Sequence, residues 1–190
     1  MTHTDNAEEL LNEAWTQRRK GNYEDGKRLV ERAQLLIEEG DYNSLGRVFH
    51  IYAQFESDHD NNLKALEFLQ WSLEFYEKSG NSDKIAHSTR HIADVRYALG
   101  EESDSENNYR KAASIYKTNS RTYEGDLANA LAGYAQILEK RKKISEAIIA
   151  WEETKDLYQA CNLESGVQVA NNKLSSLTLW LQKIEVFDRS

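Results

Sequence analysis

Four alanines, Ala14, Ala53, Ala93 and Ala135, stand 39, 40 and 42 positions apart, each inside a stretch whose apolar residues recur three and four apart. Self-similarity at a fixed period of this length is the mark of a repeat array, in which each supersecondary unit leaves a face wet until a neighbour stacks on it. Two further small-residue series keep the same intervals: Gly26, Ala65, Ser105 and Ala147, then Ala33, Ser72, Ala112 and Thr154. Bulky positions obey the register too, which is the stricter test because small residues are common. Val30, Leu69, Tyr109 and Trp151 form one set, Leu36, Phe75, Ile115 and Leu157 a second, and Ile37, Tyr76, Tyr116 and Tyr158 a third. Small residues let two antiparallel helices approach closely, and large ones fill the space between hairpins.

The pattern predicts first helices near 5–20, 43–58, 83–99 and 125–141, with partners near 23–39, 61–79, 103–118 and 144–161. Gly21, Gly40, Gly80 and Gly100 stand at the breaks, where glycine can take the left-handed conformation that closes a helix. A ninth helix near 165–185 has no second member, and its Val169, Leu174, Leu177, Leu181 and Ile184 are placed to cover the end of the stack. The chain contains no proline and only 9 glycines, so a sheet with many tight turns is disfavoured. The expected fold class is therefore all-α, an α-solenoid of about four antiparallel hairpins plus a C-terminal capping helix, with residues 1–190 forming a single repeat domain.

The segment GNYEDGKRLVERAQLL from Gly21 resembles the tetratricopeptide repeat family, with its turn glycine, following aromatic and two small second-helix residues. In two repeats Asp60 and Lys142 replace the turn glycine, and the spacing of about 40 residues is similar to the long-repeat variant found in kinesin light chains. The resemblance implies a non-enzymatic module that binds a peptide or partner protein on the face lined by the first helices. It also brings to mind the carboxylate clamp of chaperone-tail adaptors, which needs lysine, asparagine and arginine at set positions. This chain has Leu11 and Trp15 there, or, one repeat on, His50 and Gln54, then His91, then Asn129 and Gly133, so that clamp is not expected.

Thirty-two acidic against 24 basic residues give a formal charge of −8, which opposes sequence-independent attraction to nucleic acid or anionic lipid. Neither an apolar run of membrane-spanning length nor a basic leader with an apolar core is read, and one cysteine, Cys161, fits a reducing setting; a cytoplasmic location is the expectation. No GxSxG motif, HExxH motif or phosphate-binding glycine loop is found, so no enzyme activity is predicted.

The candidate partner-binding residues come from the third first-helix. Ile85, Ile92, Val95 and Leu99 share one side, leaving His87, Arg90, His91, Asp94 and Tyr97 on the other. The repeat register adds Arg47, His50 and Gln54 on one flank, and Asn129 and Gln136 with the small Ala132 and Gly133 on the other. Gly133 inside a helix points to close approach by a ligand or by a neighbouring helix. His87, His91 and Asp94 have a spacing that permits zinc, but a catalytic site needs three converging ligands, so no metal and no cofactor are expected. Two other readings stay open: self-association through the C-terminal helix, where Trp180 and Phe187 are large apolar groups, and a sensor whose curvature responds to a ligand.

Overall fold

The structure, a computed structural model, describes residues 6–119 and 123–187, with side chains up to residue 183. It is all-α. The helices are α1 (Ala7–Arg19), α2 (Tyr23–Leu35), α3 (Tyr42–Ser57), α4 (Asn62–Ser79), α5 (Ser82–Ala98), α6 (Glu102–Thr118), α7 (Glu124–Lys140), α8 (Ile144–Ala160) and α9 (Glu164–Phe187), and no strand occurs among the described residues. No described helix is long and apolar enough to cross a membrane. Two compact units result, Met1–Glu101 and Glu102–Ser190.

In the first unit, α1 packs on α2, α3 on α4, and α5 on α4. The periodic alanines are what let these helices meet: Ala14, Ala53 and Ala93 are fully buried, as are Ala33, Ala65 and Ser72. Leu10, Leu11, Val30, Val48, Ile51 and Phe55 fill one core cluster, and Leu69, Ile92 and Val95 join Ala53 and Ala65 in the next. Ser72 is polar yet fully buried, and its hydroxyl donates to the Gly46 carbonyl at 2.8 Å while lying 2.9 Å from the Ser88 hydroxyl. A buried hydroxyl so satisfied costs little and ties three helices together.

The second unit pairs α6 with α7, α7 with α8 and α8 with α9. Ala135, Ala147 and Ala170 are fully buried around Trp151, with Leu138 and Leu177 beside it. Gly133 is explained by packing: a β-carbon there would stand 2.3 Å from the Tyr109 ring, so the residue makes room for a neighbouring helix. On α9 the covering face runs through Ala170, Leu174, Leu177 and Leu181. Val169, expected on that face, is instead 49% exposed, because it sits one helical step, about 100°, away from Ala170. Ile184 and Phe187 have side chains outside the described residues, and Trp180 is 42% exposed.

α2 closes at Leu35 rather than continuing to 39, because the Leu36 N–H bonds back to the Ala33 and Gln34 carbonyls and tightens the last turn. Leu36 consequently points away from the core and is 49% exposed. The turns bear out the sequence pattern closely. Gly21, Gly40, Gly80 and Gly100 all have positive φ, and so do Asp60 at 59° and Lys142 at 58°, the two residues that stand where other repeats carry glycine. A left-handed conformation costs a side-chain-bearing residue about 1–2 kcal/mol, of which glycine's greater unfolded freedom takes back about 0.5–1. Asp60→Gly and Lys142→Gly should therefore each stabilise the fold by about 0.5–1 kcal/mol, lysine more than aspartate because aspartate tolerates this region. Denaturant midpoints check this, and a lower midpoint in either variant would contradict it.

Candidate functional site

The sequence-derived stripe on α5 and its flank on α3 come together in the first unit. His87 and His91 lie one turn apart on α5, with ring centroids 4.7 Å from each other. His50 reaches them from α3, its centroid 4.9 Å from each. On its other side the Trp15 ring of α1 stacks at 6.4 Å, so His50 is held between three first helices. It is 6% exposed, and both of its ring nitrogens lack a hydrogen-bond partner.

Arg90 and Asp94 close the cluster. One guanidinium nitrogen of Arg90 donates to Asp94 Oδ2 at 2.8 Å, and the other lies 2.7 Å from His91 Nε2. Since arginine only donates, Nε2 must be the accepting nitrogen, and the His91 proton is on Nδ1, 3.1 Å from Asp94 Oδ2. Asp94 thus fixes the His91 tautomer. The Arg90 Nε–H has no partner although it is buried.

Two hollows flank the imidazoles. One, of about 450 Å³, is lined by Glu8 and Trp15 from α1, Asn43, Arg47 and His50 from α3, Tyr76 from α4, and Lys84 and His87 from α5. Arg47 also donates to the Asn12 side chain on α1. The other, of about 310 Å³, is lined by Gln54, His91, Asp94 and the end of α5 at Val95 and Ala98. Tyr97 lines neither. Trp15, Lys84 and Tyr76 were not among the sequence candidates. Lys84 was legible as a residue three before His87 on the same helical face, whereas Tyr76 belongs to a second helix and reads from sequence as core.

The cluster is desolvated and faces cations, and both effects oppose protonation. Burial, followed by the neighbouring His91 and Arg90, pulls the His87 pKa down to about 2. Burial and the charges of His91, His87, Arg90 and Lys84 hold His50 well below the usual histidine range. His91 is lowered chiefly by burial and by Arg90, against the opposing pull of Asp94. At neutral pH the three rings are uncharged, and the one lone pair of His91 is taken up by Arg90.

Asn129 and Gln136 belong to the second unit. Asn129 Oδ1 accepts from the Tyr158 hydroxyl at 2.8 Å, and Gln136 is exposed. Cys161 forms the C-cap of α8, with its thiol 4.0 Å from a Glu124 carboxylate oxygen.

This arrangement of helical hairpins is the tetratricopeptide-like fold, and similar solved structures bear it out. The aspartyl phosphate phosphatase F of Bacillus subtilis superposes with a TM-score of 0.76 at 11% identity over 94% of this chain and 47% of that one. A Rap protein complexed with competence and sporulation factor gives 0.77 at 17% identity, covering 93% of this chain and 52% of its own. The nearly identical kinesin-light-chain TPR-like repeats of Podosopora anserina give 0.63 at 14%, covering 91% and 95%. The chain thus spans about half the length of the first two. At such identities the likeness is one of fold, the α-solenoid class expected from the repeats. No protein-family model matches the sequence, and no curated protein is similar to it.

Proposed function

We propose that the chain is a non-enzymatic interaction module, read as one repeat domain, that binds a peptide or a segment of a partner protein against the first-helix faces of the Met1–Glu101 unit. The observation that carries this reading is the 450 Å³ hollow, where Arg47, Lys84, His50 and His87 converge beside the apolar rings of Trp15 and Tyr76. With the imidazoles neutral, Arg47 and Lys84 outnumber Glu8, and a net-cationic, partly desolvated recess with aromatic walls suits a carboxylate attached to an apolar side chain, as at a peptide C-terminus or an acidic residue. A net charge of −8 makes such a local basic spot selective, because the rest of the surface repels an acidic segment bound elsewhere. The solved Rap structure, complexed with competence and sporulation factor, is a precedent for a bound factor on a fold of this kind.

In this reading His91, Gln54 and Asp94 supply further polar contacts from the neighbouring hollow, Arg90 orients His91 and Asp94 through its bonds to both, and Asn129 and Gln136 of the second unit are proposed as further partner contacts. A peptide library with free C-termini, screened by fluorescence polarisation against the full chain, tests the proposal. Peptides that bind should lose at least about tenfold in affinity with Arg47→Ala and with Lys84→Ala, in keeping with about 1.5–3 kcal/mol for a hydrogen bond to a charged group. Unchanged affinity in both variants would sink it.

A further inference from the structure

Sequence spacing puts two histidines, His87 and His91, with Asp94 on one helical face, and repeat register puts His50 on its flank. Folding brings the three imidazoles together. His50 comes from a different helix, and one ligand nitrogen from each of the three rings can be chosen so that all lie within 4.8 Å of one another. We propose that His50, His87 and His91 form a binding site for one divalent transition-metal ion of the zinc class.

Three features support a metal rather than a stack of idle aromatic rings. First, His50 is buried with both nitrogens unpartnered, although buried polar atoms in folded proteins are nearly always satisfied. A metal ion on its lone pair would satisfy one of the two nitrogens, leaving only the N–H of the other. Second, Asp94 accepts from His91 Nδ1–H and so directs the Nε2 lone pair away from the carboxylate. Carboxylates orient metal-bound histidines in this same manner. Third, three neutral imidazoles are the protein ligand set of an open tetrahedral zinc site, with the fourth position left to water or an exogenous group. Imidazole suits zinc, cobalt, nickel and copper, whereas calcium and magnesium demand oxygen ligands.

The rings are somewhat spread for the purpose. Metal–nitrogen bonds of about 2.0–2.1 Å in a tetrahedron put the nitrogens about 3.3 Å apart, so side-chain rotations must draw the trio in by about 1.5 Å. Arg90 is the other obstacle, for its guanidinium now donates to the His91 Nε2 lone pair that the ion would use. It must swing aside, keeping its bond to Asp94. With Arg90, Lys84 and Arg47 nearby, a doubly charged ion is best accommodated with an anionic fourth ligand such as hydroxide, chloride or carboxylate.

The ion shares His50, His87 and His91 with the proposed peptide site, but its binding requires no peptide. Its test uses the full chain, freed of metal by a chelator and dialysed, then titrated with Zn²⁺ by calorimetry and with Co²⁺ by visible absorption. The expected result is one equivalent bound, a tetrahedral cobalt spectrum, a raised melting temperature with Zn²⁺, and no response to Mg²⁺. His87→Ala and His50→Gln should each weaken binding by at least about tenfold, and Arg90→Gln should tighten it by removing both the competing donor and a repelling charge. His87 is the less buried ligand, so His87→Ala decides the matter if His50→Gln does not fold. Absence of saturable Zn²⁺ uptake, uptake unchanged in His87→Ala, or weaker uptake in Arg90→Gln would each overturn the proposal.

Discussion

Acidifying the metal-free protein from pH 6.5 to pH 5 is expected to destabilise it by about 1.6 kcal/mol through His87 alone, with His50 and His91 adding in the same direction. In the unfolded chain these histidines take up protons near pH 6.5. In the fold, burial and the cations around them hold all three pKa values lower, His87 to about 2. Below pH 6.5 the unfolded state therefore binds more protons than the folded one, and stability falls as pH falls, by up to about 1.4 kcal/mol per pH unit for each ring that stays neutral. The groups that face the cluster are Glu8, Trp15 and Arg18 on α1, Arg47 on α3, Tyr76 on α4, and Lys84, Arg90 and Asp94 on α5. Ordinary carboxylates titrate below about pH 4.5, so the window from 5 to 6.5 reports mainly on histidine. Urea midpoints measured with chelator across that window should fall in the wild type. The slope should flatten in a variant carrying His50→Gln, His87→Gln and His91→Gln. A wild-type midpoint that does not move between pH 7 and pH 5 would refute the prediction.

Trp151→Ala should cost about 3–5 kcal/mol, a large share of the 5–15 kcal/mol that typically separates folded from unfolded states. Trp151 is fully buried among Ala135, Leu138, Ala147, Ala170 and Leu177, so its removal leaves a cavity that rigid helices cannot collapse. Its indole N–H donates to Glu139 Oε1 at 2.6 Å, while Glu139 also accepts from Lys173 at 3.0 Å, which joins α7, α8 and α9. Trp151→Phe keeps most of the volume and gives up the hydrogen bond, so its cost should be smaller, about 1–2 kcal/mol. Denaturant titration of both variants checks the pair. An alanine variant within about 1 kcal/mol of wild type would show that packing around this ring contributes far less than its burial implies.

The parts of the fold that were legible in the sequence share one property, that a local rule and a packing rule agree at the same residue. The periodic alanines at 14, 53, 93 and 135 are small because helices cross there, and each is fully buried. Asp60 and Lys142 were recognisable as turn positions because the register placed them where glycine stands elsewhere, and their positive φ follows from that. Val169 and Leu36 were misplaced for a different reason. A one-residue rotation on α9 and an early tightening at the end of α2 depend on the particular neighbours of each helix, to which periodicity is blind.

The site divides along the same line. Sequence spacing alone grouped His87, Arg90, His91 and Asp94, since residues three and four apart on one helix must share a face. It could place His50 beside that stripe by register, but it could not show that the ring would be buried with neither nitrogen satisfied, nor that Asp94 would dictate the tautomer of His91. Gly133 left two readings open in the sequence, close approach by a ligand or by a neighbouring helix, and the structure decides for the helix, since the glycine makes room for Tyr109. The helices, their order and their repeating contact positions were determined by the sequence through periodicities that act over a few residues. The meeting of three imidazoles from two helices, and the basic hollow beside them, was decided only by tertiary structure, because distance between side chains on different helices depends on how closely those helices pack.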